Sequence, residues 1–194
     1  MTPIDPPASD DLPHEERLSS RRAYDGRMLH IRADDVRMPS GRKTVREVVE
    51  HPGSVIVLPV TVDDDVLFVR QFRYAVDERV IELPAGLVDQ GEAPEVAARR
   101  ELVEETGYEA GEVTPLGSAW VSPGYSREMS HFFVATGCLE TRPFETNLDE
   151  PMELLRVPRG DLPSLIRPGR SPIRNAQTLL ALNWFVRLEG QLLG

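Results

Sequence analysis

The chain has 194 residues, 40% of them apolar, enough for one sizeable core and short for two. Its net charge of −10 argues against a broad nucleic-acid surface, since phosphate backbones select basic stripes. No apolar run approaches the ~18 residues that would cross a bilayer, and the lone Cys138 allows no internal disulfide.

Taken in order, residues 1–16 read as a flexible tail of prolines and acids with neither the basic flank nor the apolar stretch of a secretory signal. The expectation is therefore a cytoplasmic protein with no membrane contact and no nucleic-acid partner. From Leu18 the pattern turns to strands. Residues 29–38 and 44–50 flank Pro39-Ser-Gly-Arg42, which has loop chemistry. Residues 55–62 form a continuous apolar run, as a strand buried on both faces would, and Asp63-Asp-Asp65 turns it into the strand 66–73. Val80-Ile-Glu-Leu83 is a short strand feeding Pro84-Ala85-Gly86. A helix should start near Pro94, because proline suits the first turn, and stop at Gly107, with Val96 and Val103 facing the sheet. Strands follow near 112–121, 130–138 and 153–157, with a polar loop at 140–152, and helical periodicity over 173–188 closes the chain. Cys138 reads as a small apolar filler near a strand end. The fold class expected is α/β: an α/β/α sandwich around a mixed sheet, with an added N-terminal strand region. The division expected is a tail at 1–16, a strand region at 17–53 and a catalytic domain at 54–194.

One segment carries chemistry. On a helix of about 3.6 residues per turn, Glu101, Glu104 and Glu105 project within an arc of about 100°. Like charges at this spacing repel, so the helix alone gains nothing from them. A hard divalent cation reverses that penalty. Mg²⁺ takes oxygen ligands and is commonly held by one or two carboxylates plus substrate phosphates. The three acids therefore point to a metal site that receives a phosphate ester.

The whole run, Gly86, then Glu92, then Arg100-Glu-Leu-Val-Glu-Glu-Thr-Gly-Tyr108, resembles the Nudix box, glycine-x5-glutamate-x7-arginine-glutamate-apolar-x-glutamate-glutamate-x-glycine-apolar. Outside it, Arg46-Glu-Val-Val-Glu-His-Pro-Gly53, Arg70-Gln-Phe-Arg73, Glu82-Leu-Pro-Ala-Gly86 and Ser122-Pro-Gly124 are similar to the ADP-ribose pyrophosphatase and nucleoside-diphosphate-sugar branch. Pro123 also has the spacing from Gly107 typical of the ADP-ribose group. The resemblance implies that the Ala85 carbonyl, Glu101 and Glu105 hold two or three Mg²⁺ (or Mn²⁺) ions, with Glu104 a ligand in some members. It implies Arg46, Glu47, Arg73, Leu87, Ser122, Pro123, Gly124 and Glu128 as substrate contacts. The two arginines would lie on diphosphate or ribose oxygens and Glu128 on a sugar hydroxyl. Arg100 and Glu92 read as a supporting salt bridge. Glu150, on a loop, aligns best with the general base, and Glu153 is the second candidate.

The implied activity is Mg²⁺-dependent hydrolysis of a nucleoside diphosphate sugar by a homodimer with shared sites. The strand region supplies Leu29, Ile31 and Val36 as apolar positions for pairing. ADP-ribose is the first substrate. Tyr24-Asp-Gly26-Arg27-Met28 departs from the apolar or aromatic pattern that grips adenine, so UDP-, GDP- and ADP-hexoses stay open. A second reading is a catalytically silent domain that senses such nucleotides.

Overall fold

The computed structural model describes residues 13–146 and 151–192, without the side chains of 189–192. The expected tail, as far as residue 12, and Glu150 lie outside the described residues. The strands are Glu16–Asp25 (β1), His30–Arg37 (β2), Lys43–Glu50 (β3), Ser54–Thr61 (β4), Asp65–Arg73 (β5), Glu78–Glu82 (β6), Ala85–Leu87 (β7), Tyr108–Glu109 (β8), Glu112–Trp120 (β9), Met129–Glu140 (β10) and Met152–Pro158 (β11). The helices are Pro94–Thr106 (α1), Leu162–Leu165 (α2) and Ala176–Leu192 (α3). Among the described residues no helix is long and apolar enough to cross a membrane.

Contacts divide the chain into two compact units, one running to His51 and including Gly124–Arg127, the other holding Pro52–Pro123 and the residues from Glu128 onward. The first is the antiparallel sheet β1-β2-β3. Every residue of β1 is exposed, so its sequence shows no alternation of apolar and polar positions. Ser20 Oγ donates to Asp34 Oδ1 at 2.6 Å and Arg32 Nε to Oδ2 at 2.9 Å, which satisfies the buried Asp34. The Ser20 hydrogen bond, with help from Arg32, holds that carboxyl below its usual range. The segment 124–127 is fastened to β3: Val49 N–H donates to the Tyr125 carbonyl at 2.8 Å and Arg127 N–H to the Val49 carbonyl at 3.0 Å. Of the apolar positions expected at a dimer surface, Leu29 is exposed and Ile31 half-buried, but Val36 is buried.

The second unit is a mixed sheet in the order β11-β5-β4-β10-β8, with β6 on β5, β7 on β4 and β9 on β10. Only β10 and β4 run parallel among these pairs; the others are antiparallel. Because successive side chains of a strand point to opposite faces, the apolar run of β4 splits. Val55 and Val57 pack with Ala97, Ala98 and Leu102 of α1, whereas Ile56, Leu58 and Val60 pack with Leu182 and Phe185 of α3. The result is helix, sheet, helix, with Cys138 buried in the α1-side cluster. The turn between β4 and β5 has Asp64 in the left-handed region at φ 67°, and Thr61 receives both Asp64 N–H and, through Oγ1, Asp65 N–H.

Two expectations need correction. Val96 of α1 is 56% exposed and Val103 only half-buried, while Ala97, Ala98 and Leu102 face the core. At the other end of the chain the helix begins at Ala176, not Ile173. Asn175 Oδ1 accepts the Thr178 N–H at 2.8 Å, a capping bond that fixes the start.

Candidate active site

α1 sets the geometry. Pro94 opens it at the first turn, and Gly107 closes it at φ 77°, its N–H donating to the Val103 carbonyl. Between them Arg100 gathers the surrounding acids. Its Nε donates to Glu92 Oε1 at 3.0 Å and its Nη2 to Oε2 at 2.9 Å, a two-pronged pair. Nη2 also donates to the Leu87 carbonyl at 3.0 Å, and Nη1 to Glu101 Oε1 at 2.6 Å and Glu104 Oε2 at 3.3 Å. Glu92 takes the Asp89 N–H as well. The Arg100 guanidinium, then that N–H, hold its carboxyl below the usual range. Arg100 and Glu92 thus tie the β7 loop to the helix.

The two acids on the inner side of this clamp are withdrawn from water. Glu101 has a side chain 13% exposed. Desolvation raises its carboxyl above the ordinary value, against the opposing pull of Arg100. Glu105 is more extreme: burial pushes it up to about 8, although the Ala85 N–H donates to its Oε2 at 3.0 Å. The charges of Glu101 and Glu82 raise it further and that of Arg73 lowers it. Glu104, 55% exposed, points out to solvent on the same helix. Above Glu101 the β7 backbone comes very close. A Cβ on Gly86 would stand 2.0 Å from the Glu101 carboxylate, so only glycine admits the acid there.

These residues suit a hard cation. Two carboxylates sit side by side in a desolvated hollow against a glycine backbone, an arrangement that is unfavourable for stability alone. No three acidic, histidine or cysteine side chains converge within ligating range among the described residues. Glu101 is turned to Arg100 and Glu105 to the Ala85 N–H.

The expected substrate residues distribute over both units. Arg73, Leu87, Ser122, Pro123 and Glu128 belong with Ala85, Glu101 and Glu105, whereas Arg46, Glu47 and Gly124 belong to the N-terminal unit. Arg46 there forks onto Glu15, Nε to Oε2 at 2.9 Å and Nη2 to Oε1 at 2.5 Å. Glu47 lines a small hollow with Tyr24 and Tyr125. Leu87 is exposed at the end of β7, and Ser122 and Pro123 follow β9 in a loop closed by Val121 N–H donating to the Glu128 carbonyl. The Glu128 side chain accepts from Ser54 Oγ at 3.2 Å and Gln177 Nε2 at 3.3 Å, beside the fully buried Ser130. Glu153 is paired with Arg70 across β11 and β5.

Arg73 and Ala85 line a cavity of about 650 Å³ whose far wall is the start of α3, with Asn175, Gln177 and Thr178. The sequence alone did not single out these three residues, and it placed Glu82 in a motif without a role. The available signals were an acid inside the apolar strand 80–83 and an asparagine just ahead of an apolar helical run.

Residues 50–176 match the NUDIX domain family model and residues 15–49 the nucleoside diphosphate sugar hydrolase N-terminal domain. The chain belongs to the Nudix hydrolase family. It is 34% identical over 172 residues to the ADP-ribose pyrophosphatase of Bacillus subtilis (strain 168), covering 88% of this chain and 91% of that one. Over 140 residues it is 39% identical to the GDP-mannose pyrophosphatase of Escherichia coli (strain K12), covering 68% and 72%. A crystal structure of ADP compounds hydrolase matches with a TM-score of 0.80 at 25% identity, covering 94% of this chain and 98% of that one.

Proposed function

We propose that the protein is a Mg²⁺-dependent pyrophosphohydrolase that splits a nucleoside diphosphate sugar, ADP-ribose first, into nucleoside monophosphate and sugar phosphate. The observation that carries this reading is the desolvated pair Glu101 and Glu105 under the Gly86 backbone, next to a cavity that Arg73 lines. Relatives named for ADP-ribose and for GDP-mannose support the substrate class and leave the base and sugar to experiment.

In this reading Ala85, Glu101 and Glu105 would hold two or three Mg²⁺ ions, with Mn²⁺ able to stand in. When bound, such ions offset diphosphate charge and make water easier to deprotonate. The chain's own residues do the rest. Arg73 offers a planar cation to a phosphate oxygen and so fixes the diphosphate in place. Glu128 accepts a hydrogen bond from a sugar hydroxyl, while Leu87, Ser122 and Pro123 bound the substrate. Glu150 takes the proton from the water that attacks phosphorus as the anhydride P–O bond breaks, and the departing phosphate leaves as an anion. Arg46, Glu47 and Gly124 are assigned to the substrate on the resemblance of their segments. The β1-β2-β3 unit, with Leu18, Tyr24, Met28 and Leu29 exposed, is assigned to a homodimer with shared sites in the cytoplasm.

The test is kcat/KM across ADP-ribose and the GDP-, UDP- and ADP-hexoses, in Mg²⁺ and in EDTA. Turnover of at least one of these, lost in EDTA, supports the reading. Tight binding with no turnover of any would replace it with a nucleotide sensor.

A further inference from the structure

Glu82 ends β6 only 5% exposed, a carboxylate inside the sheet region with two side-chain donors from distant parts of the chain. Arg73 Nε donates to its Oε2 at 2.9 Å, and Asn175 Nδ2 donates to its Oε1 at 2.7 Å. Asn175 is itself fixed, because its Oδ1 accepts the Thr178 N–H at 2.8 Å at the start of α3. Thr178 Oγ1 in turn accepts the Leu83 N–H at 3.0 Å, which returns the chain of bonds to the residue after Glu82. The loop is closed, and Glu82, Asn175 and Thr178 are each tied at two atoms.

Such an arrangement is poorly explained by stability. Taking the Glu82 carboxylate out of water is costly and its partner Arg73 stays half exposed, so burial of Glu82 needs another reason. Arg73 supplies it. Only Nε is occupied by Glu82; the two terminal nitrogens make no hydrogen bond among the described residues. The side chain is 46% exposed and lines the cavity beside Ala85. A guanidinium pinned at Nε presents its outer edge in one orientation, whereas a free arginine would sample many.

We propose that Glu82 and Asn175 are positioning residues that hold the Arg73 guanidinium edge toward the cavity to receive a phosphate oxygen of the substrate. This rests on the hydrolase reading above. It makes the first residues of α3 part of the enzyme's affinity for diphosphates, although Asn175 lies far along the chain from the acids of α1.

A bland alternative is that Asn175 only caps α3, and variants separate the two roles. Asn175→Ser keeps a good cap and is too short to reach Glu82, whereas Asn175→Ala removes both functions. Each should lower kcat/KM for the best nucleoside diphosphate sugar about tenfold or more, chiefly through KM, while Asn175→Ala, which also loses the cap, lowers Tm further than Asn175→Ser. In an Arg73→Ala background, Asn175→Ser and Glu82→Gln should each change kcat/KM less than about twofold, since their effect passes through Arg73. The same cycle, read as Kd for ADP-ribose in EDTA by calorimetry, needs no turnover. Wild-type kcat/KM in Asn175→Ser, or an undiminished loss in the Arg73→Ala background, overturns the proposal and leaves the hydrolase reading standing. Absence of turnover with the coupling intact in Kd overturns the hydrolase reading alone. Failure of ADP-ribose and of every GDP-, UDP- and ADP-hexose to bind or react overturns both.

Discussion

Glu105→Gln should make the metal-free protein more stable and the enzyme nearly inactive. Burial moves this carboxyl from an ordinary 4.5 to about 8. Between those values the folded chain keeps a proton that the unfolded chain releases, so stability falls as pH rises from 4.5 through about 8 and then levels off. At pH 7 the gap above 4.5, at about 1.36 kcal/mol per pH unit, amounts to about 3 kcal/mol of lost stability. Glutamine is nearly the same shape, carries no charge at any pH, and keeps an oxygen for the Ala85 N–H. In EDTA at pH 7 the variant should therefore gain up to about 3 kcal/mol, or roughly 5–10 °C in Tm, and its stability should no longer decline from pH 5 to pH 8. Mg²⁺ at a hundred times its Kd should stabilise the wild type by about 2.7 kcal/mol and the variant far less. Turnover should drop roughly 10²-fold or more in kcat. Thermal melts across pH, with and without Mg²⁺, beside steady-state kinetics make the measurement. A variant that melts lower in EDTA yet turns over normally at saturating Mg²⁺ would refute the reasoning, because Glu105 would then be structural.

Gly86→Ala should cost roughly 10²-fold in kcat, since its Cβ would meet the Glu101 carboxylate at 2.0 Å and displace it; kinetics together with a Mg²⁺ titration check this, and an unchanged metal affinity would contradict it. Glu150→Gln should lower kcat by about 10² to 10⁴-fold with little change in KM, whereas Glu153→Gln, already paired with Arg70, should change kcat little. If Glu128→Gln alone abolished turnover at unchanged KM, the base would lie after Ser122-Pro-Gly124, just ahead of β10. Sedimentation at assay concentration should show a homodimer, and a fully active monomer would remove both the dimer and its shared site.

What the sequence made legible was local. Pro94 and Gly107 bracket α1 because one suits its first turn and the other its left-handed end, and the apolar run from Val55 matches β4, buried on both faces through Thr61 with Val62 left exposed. The spacing of Glu101, Glu104 and Glu105 marked the helix face that matters. Hydrophobicity alone ranks Val96 and Val103 above alanine, yet it is Ala97, Ala98 and Leu102 that pack against Val55 and Val57 of β4. β1 gives no periodic signal because it is exposed throughout. The sequence shows Glu82 within a motif but not its partner, because the bond to Asn175 joins residues 93 apart and no local pattern reports such a pairing.

The most direct test of the central claim is product identification. ADP-ribose incubated with the full chain in Mg²⁺ should yield AMP and ribose 5-phosphate in equal amounts, resolved by phosphorus NMR, with one oxygen from labelled water in one of the two products. The same mixture in EDTA, or with Glu105→Gln, should stay intact. ADP-ribose and the nucleoside diphosphate hexoses all left uncleaved in Mg²⁺, or equal cleavage in EDTA, would contradict a metal-dependent pyrophosphohydrolase.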